Sequence, residues 1–574
     1  MNSHSPRPTP APSRRRTALT TLLLGATLPT CGDPSPSPYS TTDTGDHVDA
    51  AIATMSAATL ADAVRTLSSD EFEGRAPSTP GEELTAAFLV EQFQAAGLGP
   101  GNGDSFFQNV PLVALTEQGQ PALMVRTSGS ELEYAWTEDF VAWTKRVVES
   151  ESIEDSEMIF VGYGVVAPEY GWNDYEGVDA AGKTVVILVN DPGFATQDEA
   201  VFRGNSMTYY GRWTYKFEEA ARQGAAGAIV VHEEAAAGYP WEVVTGSWTG
   251  PQFGQAAGDG NMGRVAIEGW MRQDVAREVF EASGHSFDVL ARQAARPGFR
   301  AVPLGVSASV AVANDIQRSE SKNVLALLPG SERPDEYVIY TAHWDHFGKS
   351  ADPAMEDPIF NGAFDNATGT AGLIELARAF AALPERPARS VLFLAVTAEE
   401  QGLLGSAYYA ANPVYATAST VATINIDGMN VDGPMNDVTV VGMGASELDD
   451  YLADAAARVG RTLRPDPEPE KGYYYRSDHF SFAKVGVPSL YTDSGIDHVE
   501  HGEEWTLERR ADYVSNRYHK PSDEFDPSWD LTGALDDLEL IFRVGYRIAD
   551  SADWPSWREG NEFRAIRDAD LGER

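Results

Sequence analysis

The chain has 574 residues, and its 86 acidic side chains against 43 basic ones give a formal charge of −43. Such a surplus disfavours a nucleic-acid partner, whose phosphates it would repel, and a 43% hydrophobic share with 12 Trp is the profile of a globular protein with a sizeable core rather than a disordered one. The single cysteine, Cys31, rules out an intrachain disulfide and a Cys-rich zinc knuckle, so any metal must be held by nitrogen and oxygen. The acidic excess reads as a solubility device or as adaptation to a saline medium that screens self-repulsion.

In chain order, Arg14-Arg15-Arg16 precede the apolar run "TALTTLLLGATLPT", which has the length of a signal-peptide core and is short for a membrane span. Cys31 follows in "LPTCGD", which resembles a bacterial lipoprotein signal; the other reading is an ordinary secretory signal ending near Thr30. Residues 1–30 are thus expected to be a signal peptide and 31–47 a Pro/Ser tether. This predicts an exported protein, anchored to the bacterial cell envelope through a lipidated Cys31, or else periplasmic or secreted. Residues 56–97 read as helical, closing at glycine, within an N-terminal part of the main domain at 48–125. Short strand-like runs then appear, "EMIFVGYGVVA", "KTVVILVND" and "AGAIVVHE", with the helix "WTYKFEEAARQGA" among them. They predict a separate β-rich domain over 126–300.

From 301 to 552 strands and helices alternate: "DEYVIYTA", "GTAGLIELARAFAAL", "RSVLFLAVT", "LGSAYYAAN", "VATINID", "ASELDDYLADAAARVG", "VPSLYT" and "LTGALDDLELIFRVGYRIAD". The alternation predicts an α/β domain with a mostly parallel central sheet flanked by helices, and 553–574 form a C-terminal tail. In such sheets sites collect at the carboxyl ends of strands, and each strand here ends in polar groups. "EYVIYTA" runs into His343 and Asp345, "SVLFLAVTA" into Glu399 and Glu400, and "VATINI" into Asp427; "FNGAFDNATGTAG" carries Asp365, and "RYHKPSDEFD" carries His519. Singly, each has a plain structural reading, such as a hydrogen-bonded histidine or a solvated Glu-Glu loop. Together they are the ligand types for a borderline metal such as zinc.

"HWD", "GAFDNATGTAG", "TAEEQGLLGS", "NIDGMN", "RSDHFSF" and "YHKPSDE", in that order, resemble the co-catalytic dinuclear zinc exopeptidases, the family of secreted bacterial leucyl aminopeptidases and glutamate carboxypeptidase II. "LSSDEFEGRAPSTPGEELTAAFLVEQFQAAGL" resembles the N-terminal part of bacterial members, and "KFEEAARQGAAGAIVVHE" resembles a protease-associated domain inserted in the peptidase. The resemblance implies two zinc ions bridged by Asp365, the first also held by His343 and Asp427, the second by Glu400 and His519. It implies Glu399 as general base, Tyr518 as a donor to the developing oxyanion, and a cis peptide between Asp365 and Asn366. Two such ions can hold a hydroxide between them and polarise a peptide carbonyl. Asp345, two residues past His343, is expected to share its face and hydrogen-bond its outer nitrogen. His346 is expected to point elsewhere, and His479, His498 and His501 to serve loop hydrogen bonds. Arg476 is a further candidate for contact with substrate.

The implied function is a zinc-dependent aminopeptidase acting on peptide substrates. The alternatives are a carboxypeptidase or glutaminyl cyclase on the same fold, or a binding protein on a dead scaffold, which should have lost ligands or the base. The sequence does not indicate an oligomeric state. A long segment, "IDHVEHGEEWTLERRADYVSNR", intervenes before Tyr518 and leaves the specificity pocket open.

Overall fold

The computed structural model describes residues 45–255 and 257–572. The expected signal peptide and Cys31 lie outside these residues. Among the described residues no helix is long and apolar enough to cross a membrane.

The sheet of the α/β region is built on four parallel strands in the order Arg389–Val396, Arg333–His343, Thr420–Asn425, Ser489–Ser494. All eight residues of Arg389–Val396 are buried, which explains why its sequence is a continuous apolar run rather than an alternating one: both faces of a parallel sheet are covered. Gly369–Ala381 and Thr532–Asp550 cover one face, meeting it through Leu373, Ile374, Leu376, Leu538 and Phe542. Antiparallel strands extend the sheet on both sides, Asp437–Val440 beside Ser489–Ser494 and Val302–Leu328 beside Arg389–Val396.

Val302–Leu328 joins the α/β region to the β-rich one. Its residues 302–313 pair with Ser150–Phe160, residues 314–324 with Phe107–Glu117, and residues 324–328 with Arg389–Val396. One strand therefore runs through two sheets and lies across the position, 300/301, where the sequence suggests a boundary. Pro251–Gln255 likewise leaves the β-rich region to pair with Phe107–Glu117. The β-rich region has a parallel centre of Thr184–Leu188, Gly227–His232 and Ile267–Arg272, with its own apolar clusters around Phe160, Val186, Ile229 and Phe280 and around Val185, Phe217, Val230 and Trp270. It meets the α/β region through Tyr209, whose ring packs against Phe480 (5.2 Å), Phe563 (6.1 Å) and Tyr475 (6.2 Å), and through a 2.7 Å ion pair between Lys484 and Glu218.

Gly545 sets how closely Thr532–Asp550 approaches the sheet. Tyr340, fully buried, donates its hydroxyl to Ile541 O at 2.8 Å, and a Cβ at position 545 would lie 1.8 Å from that hydroxyl. Gly545→Ala is expected to destabilise the protein by about 1–3 kcal/mol through overpacking. In urea or thermal unfolding, adding Tyr340→Phe should recover part of that loss, because the offending oxygen is gone.

Candidate metal centre

Strand order decides where the site forms. The strands after Arg333–His343 go first to one side of it and then to the other, as Arg389–Val396 and Thr420–Asn425. At such a reversal the connections diverge and a crevice opens beyond the carboxyl ends of the strands. His343, the last residue of its strand, is buried there. Glu399 and Glu400 lie just past Arg389–Val396, and Asp427 just past Thr420–Asn425. Asp365 sits in a non-helical kink within Ala363–Thr368, immediately before the helix Gly369–Ala381, and its bond to Asn366 is cis. His519 enters from the far side, after the helix Gly502–Asn516, with a left-handed φ of 57°.

These residues form two triads that share one carboxylate. His343 Nε2 stands 3.3 Å from Asp427 Oδ1 and 3.4 Å from Asp365 Oδ1. His519 Nε2 stands 3.3 Å from Asp365 Oδ2 and 3.2 Å from Glu400 Oε2. Asp365 thus turns one oxygen to each triad. Zinc bonds of about 2.0–2.1 Å set tetrahedral ligand atoms about 3.3–3.4 Å apart, whereas charge-assisted N–H···O bonds are about 2.7–2.9 Å. The four separations are edges of metal polyhedra rather than good hydrogen bonds, so the donor set fits a pair of divalent cations.

Burial and mutual proximity shift the protonation of these groups in opposite directions. Burial pushes Glu399 well above the usual carboxylate range; nearby Asp427, Glu400 and Asp478 push it further, against His343. Burial and Asp365 do the same to Glu400. Burial alone would strip the proton from His343, yet the facing carboxylates of Glu399, Asp365 and Asp427 hold its imidazole well above the usual range. Asp365 goes the other way: its burial is outweighed by the facing imidazoles of His343 and His519.

The loops that carry the triads are fastened to one another. Asn366 Nδ2 donates to Ile426 O at 3.0 Å while its Oδ1 accepts from Gly369 N (2.9 Å) and Gly428 N (3.0 Å), tying the Asp365 loop to the Asp427 loop. Ser477 Oγ donates to Asp427 Oδ2 at 2.5 Å. Asp523 accepts from the amides of Phe364 (3.1 Å) and Asp365 (3.0 Å). Arg75, buried, donates to the carbonyls of Trp344 (2.8 Å), Leu67 (2.8 Å), Asn361 (2.6 Å) and Gly362 (2.9 Å), joining the His343 and Asp365 loops. Burial lowers its pKa to about 10 against Asp523, Asp345, Asp365 and Glu400, so it stays charged at neutral pH. Asp523, Asn366 and Arg75 all fall within motifs read from the sequence, but nothing in a motif says which residue touches metal and which holds the loop.

Three expectations are corrected. The Asp345 carboxylate does not hold the outer nitrogen of His343: His343 Nδ1 faces the Asp345 carbonyl at 3.2 Å, while Asp345 Oδ1 lies 3.8 Å away. Its carboxylate instead accepts from Glu399 N (3.0 Å) and Glu400 N (3.4 Å) and so orients both glutamates. A side chain two residues on does share the face, but the turn after His343 brings the nearer carbonyl round first. His346 does not point away: it is fully buried, with Nδ1 2.6 Å from Glu400 Oε1, and burial lowers its pKa to about 4, which leaves the ring neutral. His479 serves as a packing ring between Tyr474 (4.6 Å) and Tyr491 (4.8 Å). His498 does make loop hydrogen bonds, its Nδ1 accepting from Glu500 N and His501 N at 3.0 Å each. Tyr518, 41% exposed, stacks on His519 at 3.7 Å.

The geometry is that of a candidate metal centre at a strand rim, with a further carboxylate, Glu399, beside His343 and Glu400. Residues 323–542, which contain every one of those ligands, match the model of peptidase family M28. Among curated relatives, the aminopeptidase NAALADL1 of Mus musculus is 35% identical over 139 residues, 23% of this chain and 17% of its own. A probable zinc metalloprotease of Pyricularia oryzae is 39% identical over 107 residues, 19% of each chain. The matched segment therefore spans under a fifth of either relative's length. Among solved structures, an aminopeptidase from Aneurinibacillus sp. strain AM-1 aligns at TM-score 0.46 and 19% identity, over 88% of this chain and 96% of that one. The zinc aminopeptidase BSAP from Bacillus subtilis aligns at TM-score 0.40 and 16% identity, over 88% and 99%.

Asp345→Asn replaces one acceptor oxygen with an NH2 facing a backbone N–H of Glu399 or Glu400. Affinity for divalent metal is expected to fall about 10–100-fold, as for other residues that orient ligands. A metal titration, with far-UV circular dichroism as the control for fold, measures it.

Proposed function

We propose that the protein is an exported zinc aminopeptidase that hydrolyses N-terminal residues from peptides, with two zinc ions resident. The observation that carries this reading is the pair of donor triads sharing Asp365: His343 and Asp427 with one of its oxygens, His519 and Glu400 with the other. When bound, the zinc ions would polarise the peptide carbonyl and make water acidic enough to attack at neutral pH. The protein supplies the proton traffic. Glu399 ligates in neither triad and stands beside both, oriented through its amide by Asp345. Its carboxylate takes a proton from the attacking water and returns it to the nitrogen of the leaving amine. The Tyr518 hydroxyl, carried next to His519, donates to the oxygen of the scissile carbonyl as negative charge gathers there. With five ligands and the base all present, the dead-scaffold alternative lacks the losses it requires.

A specific observation supports a second reading. Arg212, from the β-rich region, and Arg476, next to the Asp427-binding Ser477, have no carboxylate partner among the described residues, in a chain with twice as many acids as bases. Arg212 follows the Tyr209 contact with Tyr475, Arg476 adjoins Tyr475, and each guanidinium lies over an aromatic ring, Trp213 at 6.0 Å and Tyr473 at 5.5 Å. Two unpaired guanidinium groups at the rim suit the C-terminal carboxylate of a short substrate, which would favour carboxypeptidase or dipeptidase action. The β-rich region, read as a protease-associated domain, then contributes to substrate binding.

One assay panel separates these readings: peptides with a free amine, an N-acetyl group or a C-terminal amide, with and without chelator. Aminopeptidase action requires loss of turnover on N-acetylation, tolerance of the amide, and inactivation by chelator that zinc reverses. In the same panel Glu399→Gln should cut turnover by about 10²–10⁴-fold, the range for general acid–base groups, with zinc content kept. Glu400→Gln should lose activity together with one zinc. Hydrolysis near wild type in Glu399→Gln would remove the proposed base.

The export address is likewise a proposal, resting on the run before Cys31. Cys31→Ala should release the protein from membranes, and mass spectrometry of an unmodified mature Cys31 would favour plain secretion.

A further inference from the structure

His346 makes the shortest contact of any imidazole in the centre. Its Nδ1 lies 2.6 Å from Glu400 Oε1, whereas the other oxygen of that carboxylate, Oε2, lies 3.2 Å from His519 Nε2. The difference separates two kinds of contact. The longer one matches an edge between two ligands of one metal ion. The shorter is well inside that edge and has the length of a strong, charge-assisted hydrogen bond. His346 is therefore not a third nitrogen ligand, although with Asp365 and Glu400 it forms a cluster compact enough to hold an ion.

The fold goes to some length to keep this ring in place. His346 is fully buried. Gly362, at a left-handed φ of 54°, leaves it room: a Cβ there would come within 2.6 Å of the His346 ring and 2.2 Å of the Asp365 carbonyl oxygen. Phe347 packs edge-on to the ring at 5.0 Å. Nδ1 is thus aimed at one oxygen of one ligand, while Nε2 has no hydrogen-bond partner among the described residues.

Resting on the two-zinc reading above, we propose that His346 is a positioning residue for the Glu400–His519 half of the centre. Its Nδ1–H occupies Glu400 Oε1, so that the carboxylate presents Oε2 alone to the metal and cannot swing to bind through both oxygens or turn away. In the Asp427 half Ser477 Oγ takes the second carboxylate oxygen instead, with no such imidazole among the described residues. The two half-sites are then tuned by different donors, and removing His346 should weaken one of them selectively.

The test titrates full-length protein with zinc buffered by a weak chelator, counts bound metal, and follows fold by circular dichroism and thermal melting. Wild type is expected to take up two equivalents. His346→Leu should keep the first and bind the second about 10–100-fold more weakly. His346→Asn, whose amide nitrogen can stand where Nδ1 stood, should recover most of that loss. In a His519→Ala background His346→Leu should add little, whereas in an Asp427→Ala background its effect on the remaining site should persist. The inference is overturned if His346→Leu fills both sites like wild type, if it weakens both halves equally, or if His346→Asn is as poor as His346→Leu, which would leave the ring a packing role only. A wild type that never takes a second equivalent overturns the two-zinc reading itself, which is a different result from a variant that fills both sites.

Discussion

Asp365, Glu399, Glu400 and Asp427 meet at one strand rim, with Asp345 and Asp478 behind them, and that concentration of negative charge governs the rest of the structure around it. Burying a carboxylate costs several kcal/mol unless opposite charge or hydrogen-bond donors surround it, and here burial and the neighbouring carboxylates push Glu399 and Glu400 above the usual carboxylate range. Two kinds of compensation are visible. Backbone amides and hydroxyls hold the carboxylates that face away from the centre, as with Asp345 under Glu399 and Glu400 and Asp523 under Phe364 and Asp365. Histidines face the oxygens that point inward, at separations that suit metal ions better than they suit hydrogen bonds.

A centre of this kind works only if its ligands arrive at fixed positions from distant parts of the chain, and the loops that bring them are irregular by necessity. Arg75 answers that need. One guanidinium satisfies carbonyls on both sides of the crevice, which explains how an N-terminal segment with no ligand of its own helps to hold the candidate metal centre. Asn366 and Ser477 do the same at shorter range. Each positioning group is itself buried, so its own rotamer is fixed by packing, which is the condition for holding a metal ligand to a fraction of an ångström.

The β-rich region is built around separate apolar clusters but is not loosely tethered. It shares the strand Val302–Leu328 with the α/β sheet and returns to that sheet through Pro251–Gln255. Its Tyr209 enters the aromatic cluster of Tyr475, Phe480 and Phe563, on the segment that carries Arg476 and Ser477. Arg212 follows directly on the contact that docks the region.

The sequence by itself determined which residue types could gather at the candidate site. Periodicity and strand–helix alternation marked the parallel strands, because residues buried on both faces must be apolar throughout, and the polar residue ending each run named His343, Glu399, Glu400 and Asp427 before any contact was known. The loops "FNGAFDNATGTAG" and "RYHKPSDEFD" added Asp365 and His519, and the family resemblance implied how these residues divide between two metal ions. Only the tertiary structure decided which side chain serves which neighbour. Asp345 and His346 sit one residue apart, and spacing along the chain cannot say that the first supports two amides from another strand while the second reaches a ligand from that same strand. Arg75 could not be connected to Trp344, Asn361 and Gly362 from sequence, since those carbonyls belong to backbone that any residue could supply. The extent of the strand Val302–Leu328 was hidden for a related reason. Its exposed middle lacks a continuous apolar signal, and its pairing is set by partners far away in the chain.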